Sequence, residues 1–373
     1  MSPLAQLRNR CAAALQNAPP RVANIRAFVG FDGFVDEIVH VVDRRHDAMR
    51  YDRVPTLTRL GERVLAAAGK STNIEGVVQQ VKLGGNGPIM ANALAVLGLT
   101  VTYVGAVGWP NLHPVFGELA QRAKIFGVAE PGHTDALEFE DGKLMLTKTA
   151  SLNDVTWPVL QKRFGRDPLL AALAESDLVG FVNWTMIPFM SDLWEALLGE
   201  VCPHLPQAPR TLFIDLADPQ KRTVADMRRA LDLIQRFGPW FQVVLGLNEK
   251  EAWGIAGVLG VDTPTRDRAA LARTAQAIAQ CVKVHALVVH PVSYALAVTE
   301  GTLVEVEGPY EPNPKITTGA GDHFNAGFCL GRLLGLDLAS ALLAGVSTSG
   351  FYVRHARSPS VADLSALLRQ GRS

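Results

Sequence analysis

The chain alternates short, almost wholly apolar runs with segments of helical periodicity, and no other feature constrains its fold as strongly. The apolar runs are IRAFVGF, VTYVGAVG, DLVGFVNW, TLFIDL, FQVVLGL and ALVVHPV; helical patterns lie near 56–68, 87–97, 158–174, 221–236 and 266–282. Strands without polar positions are typical of parallel sheets that helices cover on both faces. We therefore predict an α/β fold with a mostly parallel central sheet.

A second group of strand patterns alternates apolar with polar residues and does not suit the middle of such a sheet. It comprises DEIVHVV, GVVQQVKL and the pair LEFE and KLMLT, which Asp141-Gly142 joins. Asp-Gly between two runs of this kind is a strong hairpin signal. We predict a small β lid from strands at about 34–45, 75–84 and 134–150. The lid would belong to a domain at 21–373, preceded by an N-terminal helical extension at 1–20.

Composition narrows the classes of function. Lysine plus arginine and aspartate plus glutamate both total 36, so the net charge is zero and gives no electrostatic reason for nucleic acid as a partner. No apolar run reaches the ~18 residues of a membrane span, and MSPLAQLRNRCAAALQ lacks the apolar centre of a signal peptide. The four cysteines are far apart, so we expect reduced thiols and a cytoplasmic protein.

The turn TTGAGDHF at 317–324 is the strongest functional signal. Gly319 and Gly321 leave backbone N–H groups unobstructed, and the helix that follows directs its unsatisfied N–H groups and positive dipole end to the same place. This is an anion site, and Asp322 places a proton acceptor at its edge. The alternative interpretation is a glycine-rich helix start with Asp322 as an ordinary capping residue.

The helix behind this turn favours the functional interpretation. From Asp322 to Leu336 its only charged residue after Asp322 is Arg332, and glycines recur at 327, 331 and 335. Each glycine inside a helix costs up to about 1 kcal/mol relative to alanine, so a stripe of three predicts close backbone packing of a buried helix.

The segment TTGAGDHFNAGF resembles the C-terminal signature D-T-x-G-A-G-D-x-F of the ribokinase-like (PfkB) carbohydrate kinases. The resemblance implies a ribokinase-like fold with a β lid. It also implies that Asp322 is the catalytic base, and that the backbone of Gly319, Ala320 and Gly321 forms the anion hole for the transferring phosphoryl group.

The first apolar strand ends in GFDGFVD at 30–36, where a carboxylate would point into the ligand crevice of an open α/β sheet. Asp32 or Asp36 could then accept hydrogen bonds from two sugar hydroxyls, unless it only caps a turn. The family has a substrate-binding aspartate after this strand. Asp36 is the closer match, although it lies one residue further from Gly30 than is usual, and Asp32 is its rival.

The loop LGGNGP at 83–88 precedes a helix and resembles the first family signature, G-G-x-x-x-N. Gly84 and Gly85 let a ligand approach the backbone, and Asn86 offers both a donor and an acceptor. The signature asparagine falls on Ile89 in this chain. Either Asn86 replaces it or the substrate differs.

Asn248 and Glu251 follow the strand FQVVLGL and share one face of the next helix. They resemble the family motif N-x-x-E, which is linked to magnesium and phosphate. Glu251 would then act on Mg²⁺, directly or through water. The alternative is a capping box, in which Asn248 and Glu251 only satisfy the start of the helix.

The resemblance also locates the nucleotide. Thr317 in the signature, with Ser347 and Gly350 in ALLAGVSTSGFYVRHA, are the candidate contacts. Two departures concern this region. Ile316 replaces an aspartate that in relatives helps to hold a monovalent cation, and the loop at 290–295 lacks the two glycines that approach the nucleotide phosphates in relatives.

The sequence therefore predicts a kinase that uses ATP and Mg²⁺ to phosphorylate a hydroxyl, most simply a primary one, of a sugar or sugar-like compound. The alternatives are a nucleoside kinase of the same fold and a catalytically inactive sugar-binding regulator. As partners we expect the sugar and the nucleotide, with no nucleic acid and no membrane, and a homodimer formed through the lid.

Overall fold

The computed structural model describes residues 2–370. Its helices are α1 (Pro3–Gln16), α2 (Pro19–Val22), α3 (Leu57–Ala66), α4 (Asn86–Leu97), α5 (Gly117–Ala120), α6 (Trp157–Arg163), α7 (Arg166–Ala174), α8 (Met190–Glu200), α9 (Val224–Arg236), α10 (Glu249–Leu259), α11 (Arg268–Val282), α12 (Ala320–Leu333), α13 (Leu338–His355) and α14 (Val361–Gln370). Its strands are β1 (Arg26–Gly30), β2 (Phe34–Arg45), β3 (Tyr51–Arg53), β4 (Gly76–Gly84), β5 (Thr100–Gly105), β6 (Lys124–Gly127), β7 (Gly132–Phe139), β8 (Gly142–Lys148), β9 (Leu178–Val182), β10 (Thr211–Asp215), β11 (Gln242–Leu247), β12 (Ala286–Val289), β13 (Tyr294–Thr299) and β14 (Thr302–Glu307).

Within residues 2–370 a nine-stranded central sheet has the order β14-β13-β12-β11-β10-β9-β1-β5-β6. All neighbours from β12 to β6 pair in parallel, whereas β13 and β14 form an antiparallel hairpin at one edge. The predicted mostly parallel sheet is thus confirmed. The edge hairpin was not predicted; its turn is formed by Glu300 and Gly301, both with positive φ.

Each face of the central sheet buries its own hydrophobic cluster. Along β1, Phe28 belongs to the cluster that helices α8 to α11 cover, while Ala27 and Val29 belong to the cluster under α1, α4, α12 and α13. Successive side chains of a strand point to opposite faces, so a strand without polar positions serves two cores at once. This arrangement explains the continuous apolar runs.

The predicted helix at 158–174 is wrong as a single element, because it is divided into α6 and α7. Gly165 lies between them with φ of +103° and precedes the first residue of α7. A left-handed backbone at this position cannot continue a right-handed helix, and glycine adopts it readily.

The lid is a separate sheet in which β2 is central. It pairs with β7 in parallel and with β3 and β4 in antiparallel fashion, and β7 forms a hairpin with β8. The predicted hairpin at Asp141-Gly142 is confirmed, since β8 begins at Gly142.

The segment expected as an N-terminal extension contains α1, which packs against α13 and α14. Its side chains at Cys11, Ala12 and Leu15 are buried in one of the two main cores. The Ser365 hydroxyl donates to the Ala12 carbonyl at 3.0 Å, and Cys11 Sγ lies 3.6 Å from the Ser340 carbonyl. Of the helices formed by residues 2–370, none combines the length and apolar character that a membrane crossing requires.

Candidate active site

Most of the residues singled out in the sequence lie near the edge of the central sheet where its parallel strands end. Two cavities open there. The front cavity, of about 350 Å³, lies between lid and sheet and is lined by Phe34, Asp36, Gly85, Asn86, Ile89, Thr134, Met145, Thr147, Asn183, Met186, Ala217, Asp218, Lys221, Thr318, Gly319 and Asp322. The loop cavity, of about 700 Å³, is lined by Gln220, Asn248, Glu249, Lys250, Trp253, Gly254, Arg266, His290, Pro291 and Val292.

The signature turn leads directly into α12. Gly319 precedes the helix with φ of +90°, which favours glycine, and Asp322 lies in the first helical turn. The Asn86 amide donates to Asp322 Oδ1 at 3.0 Å, which joins two of the predicted motifs. Ala320 N–H donates to the Thr317 carbonyl at 3.1 Å and so is engaged within the turn.

The remaining amides of the turn are open. Within residues 2–370, the N–H groups of Gly319 and Gly321 have no hydrogen-bond acceptor. Both lie at the positive end of the α12 dipole, as an anion site requires. Fewer backbone N–H groups are therefore free to bind an anion than the family resemblance implies, because the Ala320 N–H already donates to the Thr317 carbonyl.

Asp322 is buried, and burial raises its pKa well above the ordinary value. The carboxylate of Asp215, and more weakly that of Asp32, raise the pKa further, while the hydrogen bond from Asn86 lowers it. A raised pKa makes a carboxylate a stronger base once it is ionised.

Asp36 lies on lid strand β2 with its side chain at the front cavity. A Cβ atom at Gly84 would lie 2.3 Å from Asp36 Cγ, so only glycine at 84 leaves room for this carboxylate. Burial raises the pKa of Asp36, and the nearby Lys82 and a hydrogen bond with Thr134 oppose the shift.

Asp32 is buried outside the front cavity and is engaged by internal donors. Gly87 N–H donates to its Oδ1 at 2.8 Å, and the Asn183 amide donates to its Oδ2 at 2.6 Å. The Tyr103 hydroxyl donates to the Asp32 carbonyl. Burial raises the pKa of Asp32 to about 6. Its carboxylate therefore holds the start of α4, and with it the loop that carries Gly85.

Asn248 and Glu251 form a complete capping box at the start of α10. Asn248 Oδ1 accepts from Glu251 N–H at 2.9 Å, and Glu251 Oε2 accepts from Asn248 N–H at 2.8 Å. Glu251 Oε1 also accepts from Asp218 N–H at 2.7 Å. Burial, and next the Asp215 carboxylate, raise the pKa of Glu251 to about 7.

The fit of this region to Mg²⁺ depends on Glu251. Within residues 2–370 no cluster of three or more histidine, cysteine, aspartate or glutamate side chains could hold a metal. Each Glu251 oxygen accepts one backbone N–H and keeps another lone pair, so contact through a water molecule fits and an all-protein cage does not.

Four charged residues at or after the ends of strands β10 and β11 were not identified from the sequence. Asp215 ends β10 and accepts from Ala217 N–H and from the Asn325 amide, both at 2.8 Å. Asp218 pairs with Lys250 at 2.7 Å and with Lys221 at 3.3 Å. Lys221 lines the front cavity and Lys250 the loop cavity. The position of Asp215 at the carboxyl end of an apolar strand could have identified it; the two lysines carry no comparable signal.

The loop at 290–295 packs on the signature helix. The rings of His290 and Phe324 are 4.7 Å apart, and a Cβ atom at Gly321 would lie 3.3 Å from His290 Cε1. Burial lowers the pKa of His290 to about 4, so this ring is neutral at physiological pH. An imidazole thus approaches the signature turn where glycines were expected.

The residues predicted to contact the nucleotide do not line either of the two cavities. Ser347 is buried within α13. Gly350 faces Pro309, where a Cβ atom would lie 2.5 Å from the proline Cγ. Neither residue lines the front or the loop cavity, whereas the Thr317 carbonyl takes part in the signature turn.

Comparisons with solved structures agree with this fold. The ribokinase of Arabidopsis thaliana, solved with ribose and ATP, has a TM-score of 0.64 at 14% identity and covers 92% of this chain and 98% of its own. The ribokinase of Thermotoga maritima has a TM-score of 0.61 at 15% identity, with coverage of 92% and 99%. At 14–15% identity these likenesses show the fold, which is of the ribokinase type.

Sequence relatives define a narrower group. A family model described as prokaryotic ketohexokinase matches residues 5–371. The ketohexokinase of Haloferax volcanii is 32% identical over 353 residues, which are 94% of this chain and 92% of the relative. The chain belongs to the prokaryotic ketohexokinase family, and it is a phosphotransferase that acts on an alcohol group.

Proposed function

We propose that this kinase transfers the γ-phosphoryl group of ATP to a primary hydroxyl of a ketohexose, with Asp322 as the general base. One observation carries the proposal: Asp322, Asp36 and Asn86 line a single cavity of about 350 Å³ beside the open N–H groups of the signature turn. The name of the relative at 32% identity supports a ketohexose as acceptor.

In the proposed reaction, Asp322 takes the proton of the acceptor hydroxyl as its oxygen attacks phosphorus. The hydrogen bond from Asn86 to Oδ1 fixes the carboxylate and leaves Oδ2 for the substrate. The N–H groups of Gly319 and Gly321 stabilise negative charge on the transferring group, and they cost no reorganisation because the turn already holds them.

Asp36 and Asn86 are the proposed sugar ligands. Asp36 offers carboxylate oxygens to two hydroxyls; the missing side chain at Gly84 leaves room for this carboxylate, and Gly85 lines the cavity beside it. Asp32 is excluded from this proposal because internal N–H donors occupy both of its carboxylate oxygens.

The nucleotide is proposed to extend from the signature turn towards α10 and α13. Asn248 and Lys250 line the loop cavity near its phosphates, while Thr317, Ser347 and Gly350 are the more distant contacts. Mg²⁺ would supply charge neutralisation between phosphate oxygens, and Glu251 would reach it through water. Lys221 and Lys250 add positive charge where several carboxylates meet.

The exposed apolar residues on the outer face of the lid support a proposed dimer that forms through the lid. Leu144, Leu146 and Val78 are 38%, 47% and 46% exposed, and they line one apolar groove of about 620 Å³ on the lid side of the molecule. Exposed apolar residues that share one groove mark an interaction surface, and a second copy of the chain would cover it.

The test is a coupled assay of ADP release with Mg-ATP and a panel of ketohexoses, aldohexoses, ribose and nucleosides. We expect the highest kcat/KM with a ketohexose such as fructose. Turnover confined to nucleosides would replace the proposal with a nucleoside kinase. Sugar binding by calorimetry without any turnover would favour an inactive regulator.

A further inference from the structure

The rear of the signature turn is covered by two stacked rings that the proposed reaction does not use. His323 and Tyr352 have ring centroids 3.6 Å apart at an angle of 14°. The Tyr352 hydroxyl donates to the Thr318 carbonyl at 2.9 Å, and His323 Nδ1 lies 2.7 Å from the Gly319 carbonyl. The carbonyls of Thr318 and Gly319, which are successive in the turn, are therefore hydrogen-bonded by side chains on its rear side.

This arrangement matters because a peptide unit is planar and trans. The carbonyl of Thr318 and the N–H of Gly319 belong to one such unit and point in opposite directions. Tyr352 and His323 line a rear cavity of about 740 Å³, whereas Gly319 lines the front cavity. Holding the Thr318 carbonyl towards the rear thus directs the Gly319 N–H towards the front.

The hydrogen-bonding state of His323 follows from its neighbours. Burial lowers its pKa to about 4, so the ring is neutral. A carbonyl only accepts, so Nδ1 carries the hydrogen and Nε2 must accept. Its partner there is the Ser358 hydroxyl, 2.8 Å away, which accepts in turn from the Asn92 amide at 3.2 Å. The relay Asn92–Ser358–His323 therefore has one consistent direction and ends at the Gly319 carbonyl.

We propose that His323 and Tyr352 are positioning residues that hold the signature turn in the conformation that binds the transferring phosphoryl group. Ser358 and Asn92 hold the His323 ring in the tautomer that this task requires. The inference rests on the proposed role of the turn as an anion hole. Donors that act on developing charge contribute to the transition state more than to the bound sugar.

The test uses variants that keep an aromatic ring and remove its polar atoms, which are one in Tyr352→Phe and two in His323→Phe. His323→Phe and Tyr352→Phe should each lower kcat about tenfold or more, the factor that one hydrogen bond lost in the transition state gives, with KM for the sugar changed less than about twofold. His323→Asn should recover part of the loss of His323→Phe, because its amide can donate to the Gly319 carbonyl. Tyr51→Phe in the lid, which also removes a hydrogen-bonded hydroxyl, is the matched control.

Ring ¹⁵N NMR of His323 gives a readout that is independent of turnover. We expect the hydrogen on Nδ1 in the wild type, and a larger fraction on Nε2 in Ser358→Ala. Unchanged kcat in both phenylalanine variants would overturn the inference, and so would an Nε2-protonated ring in the wild type. A wild-type enzyme that phosphorylates no sugar would instead refute the proposed function, while the NMR result would still decide whether the relay exists.

Discussion

Asp32 and Asp36 are four residues apart, yet the structure surrounds their side chains differently. Asp32 accepts hydrogen bonds from Gly87 N–H and the Asn183 amide, whereas Asp36 faces the front cavity. At the scale of single residues, burial raises the pKa of both, but only Asp36 has a carboxylate that a ligand can reach.

This contrast separates an effect on binding from an effect on stability. Asp36→Ala should raise KM for the sugar more than KM for ATP, since losing a charged hydrogen-bond partner costs roughly 1.5–3 kcal/mol. Asp32→Ala should instead lower the free energy of unfolding by about 1–3 kcal/mol for each buried donor left without an acceptor. Steady-state kinetics and urea unfolding measure the two effects. A selective KM effect in Asp32→Ala but not in Asp36→Ala would reverse these assignments.

The variant Asp322→Asn tests the proposed role of Asp322 as the base. The amide keeps the shape and removes the proton acceptor, so kcat should fall by about 10²–10⁴-fold while KM changes little. Because the base must be ionised, wild-type kcat should rise with pH through a pKa above the ordinary aspartate value, and the residual activity of the variant should lack this step. A variant with near-normal kcat would remove Asp322 from the role.

Ile316 leads to a prediction about cations. Its apolar side chain lies at the rear cavity and offers no lone pair where relatives have an aspartate. We expect little or no activation when potassium replaces an inert organic cation. The ionic strength must stay constant, because screening alone alters the binding of charged ligands. Activation of several-fold by potassium alone would show that another carboxylate has taken this role.

The sequence predicted which residues would meet at the site better than it predicted their contacts. GAGD and N-x-x-E could be located because both lie at helix starts, and N-x-x-E also directly follows the end of a strand. The link from Asn86 to Asp322 could not, since it depends on how α4 packs beside α12. Nor could the burial of Asp32, which depends on contacts with Gly87 at the start of α4 and with Asn183. His323 adjoins Asp322 in sequence, but its partner Ser358 is 35 residues away.

At the scale of elements, the contact between α12 and α13 sets the position of the signature helix. A Cβ atom at Gly327 would lie 2.2 Å from Thr348 Oγ1, and one at Gly331 would lie 2.7 Å from Ala341 Cα. The predicted glycine stripe is therefore confirmed at these two positions. It is wrong at Gly335, which lies beyond the helix with φ of +74°, and a Cβ atom there would meet nothing within 4 Å.

Alanine substitutions test this packing. Gly331→Ala should lower the free energy of unfolding by about 1–3 kcal/mol, because the added methyl group overpacks the contact with α13. Gly257→Ala in α10 is the matched control: its Cβ would meet no atom within 4 Å, so it should gain up to about 1 kcal/mol from helix propensity. Equal effects of the two substitutions in chemical denaturation would contradict close packing at Gly331.

At the scale of the whole molecule, the residues of the candidate site come from two parts of the fold, the central sheet and the lid. The parallel strands from β12 to β6 carry site residues at their carboxyl ends. The lid contributes Asp36 and covers these residues. The parallel part was predictable because its strands are largely apolar. The edge hairpin of β13 and β14 escaped prediction, since β13 is nearly all apolar and resembles another parallel strand.

The outer face of the lid carries the prediction about assembly. If a second copy covers the groove, Leu144→Glu with Leu146→Glu should shift the protein from dimer to monomer, as light scattering after size exclusion would show. Val224→Glu at the start of α9, which is 49% exposed and outside the lid, is the control and should change nothing. A wild-type protein that is monomeric at high concentration would refute the lid dimer.

The pairing of α1 with α14 has a consequence for the order in which the chain is made. Synthesis proceeds from the N-terminus, so the helix that holds Cys11 and Leu15 is made before Ser365, which donates to the Ala12 carbonyl and lies 353 residues further along the chain. Until then the apolar side of α1 lacks this native partner, and contacts so distant in sequence form late. The nascent protein thus cannot complete this core until α14 has been made.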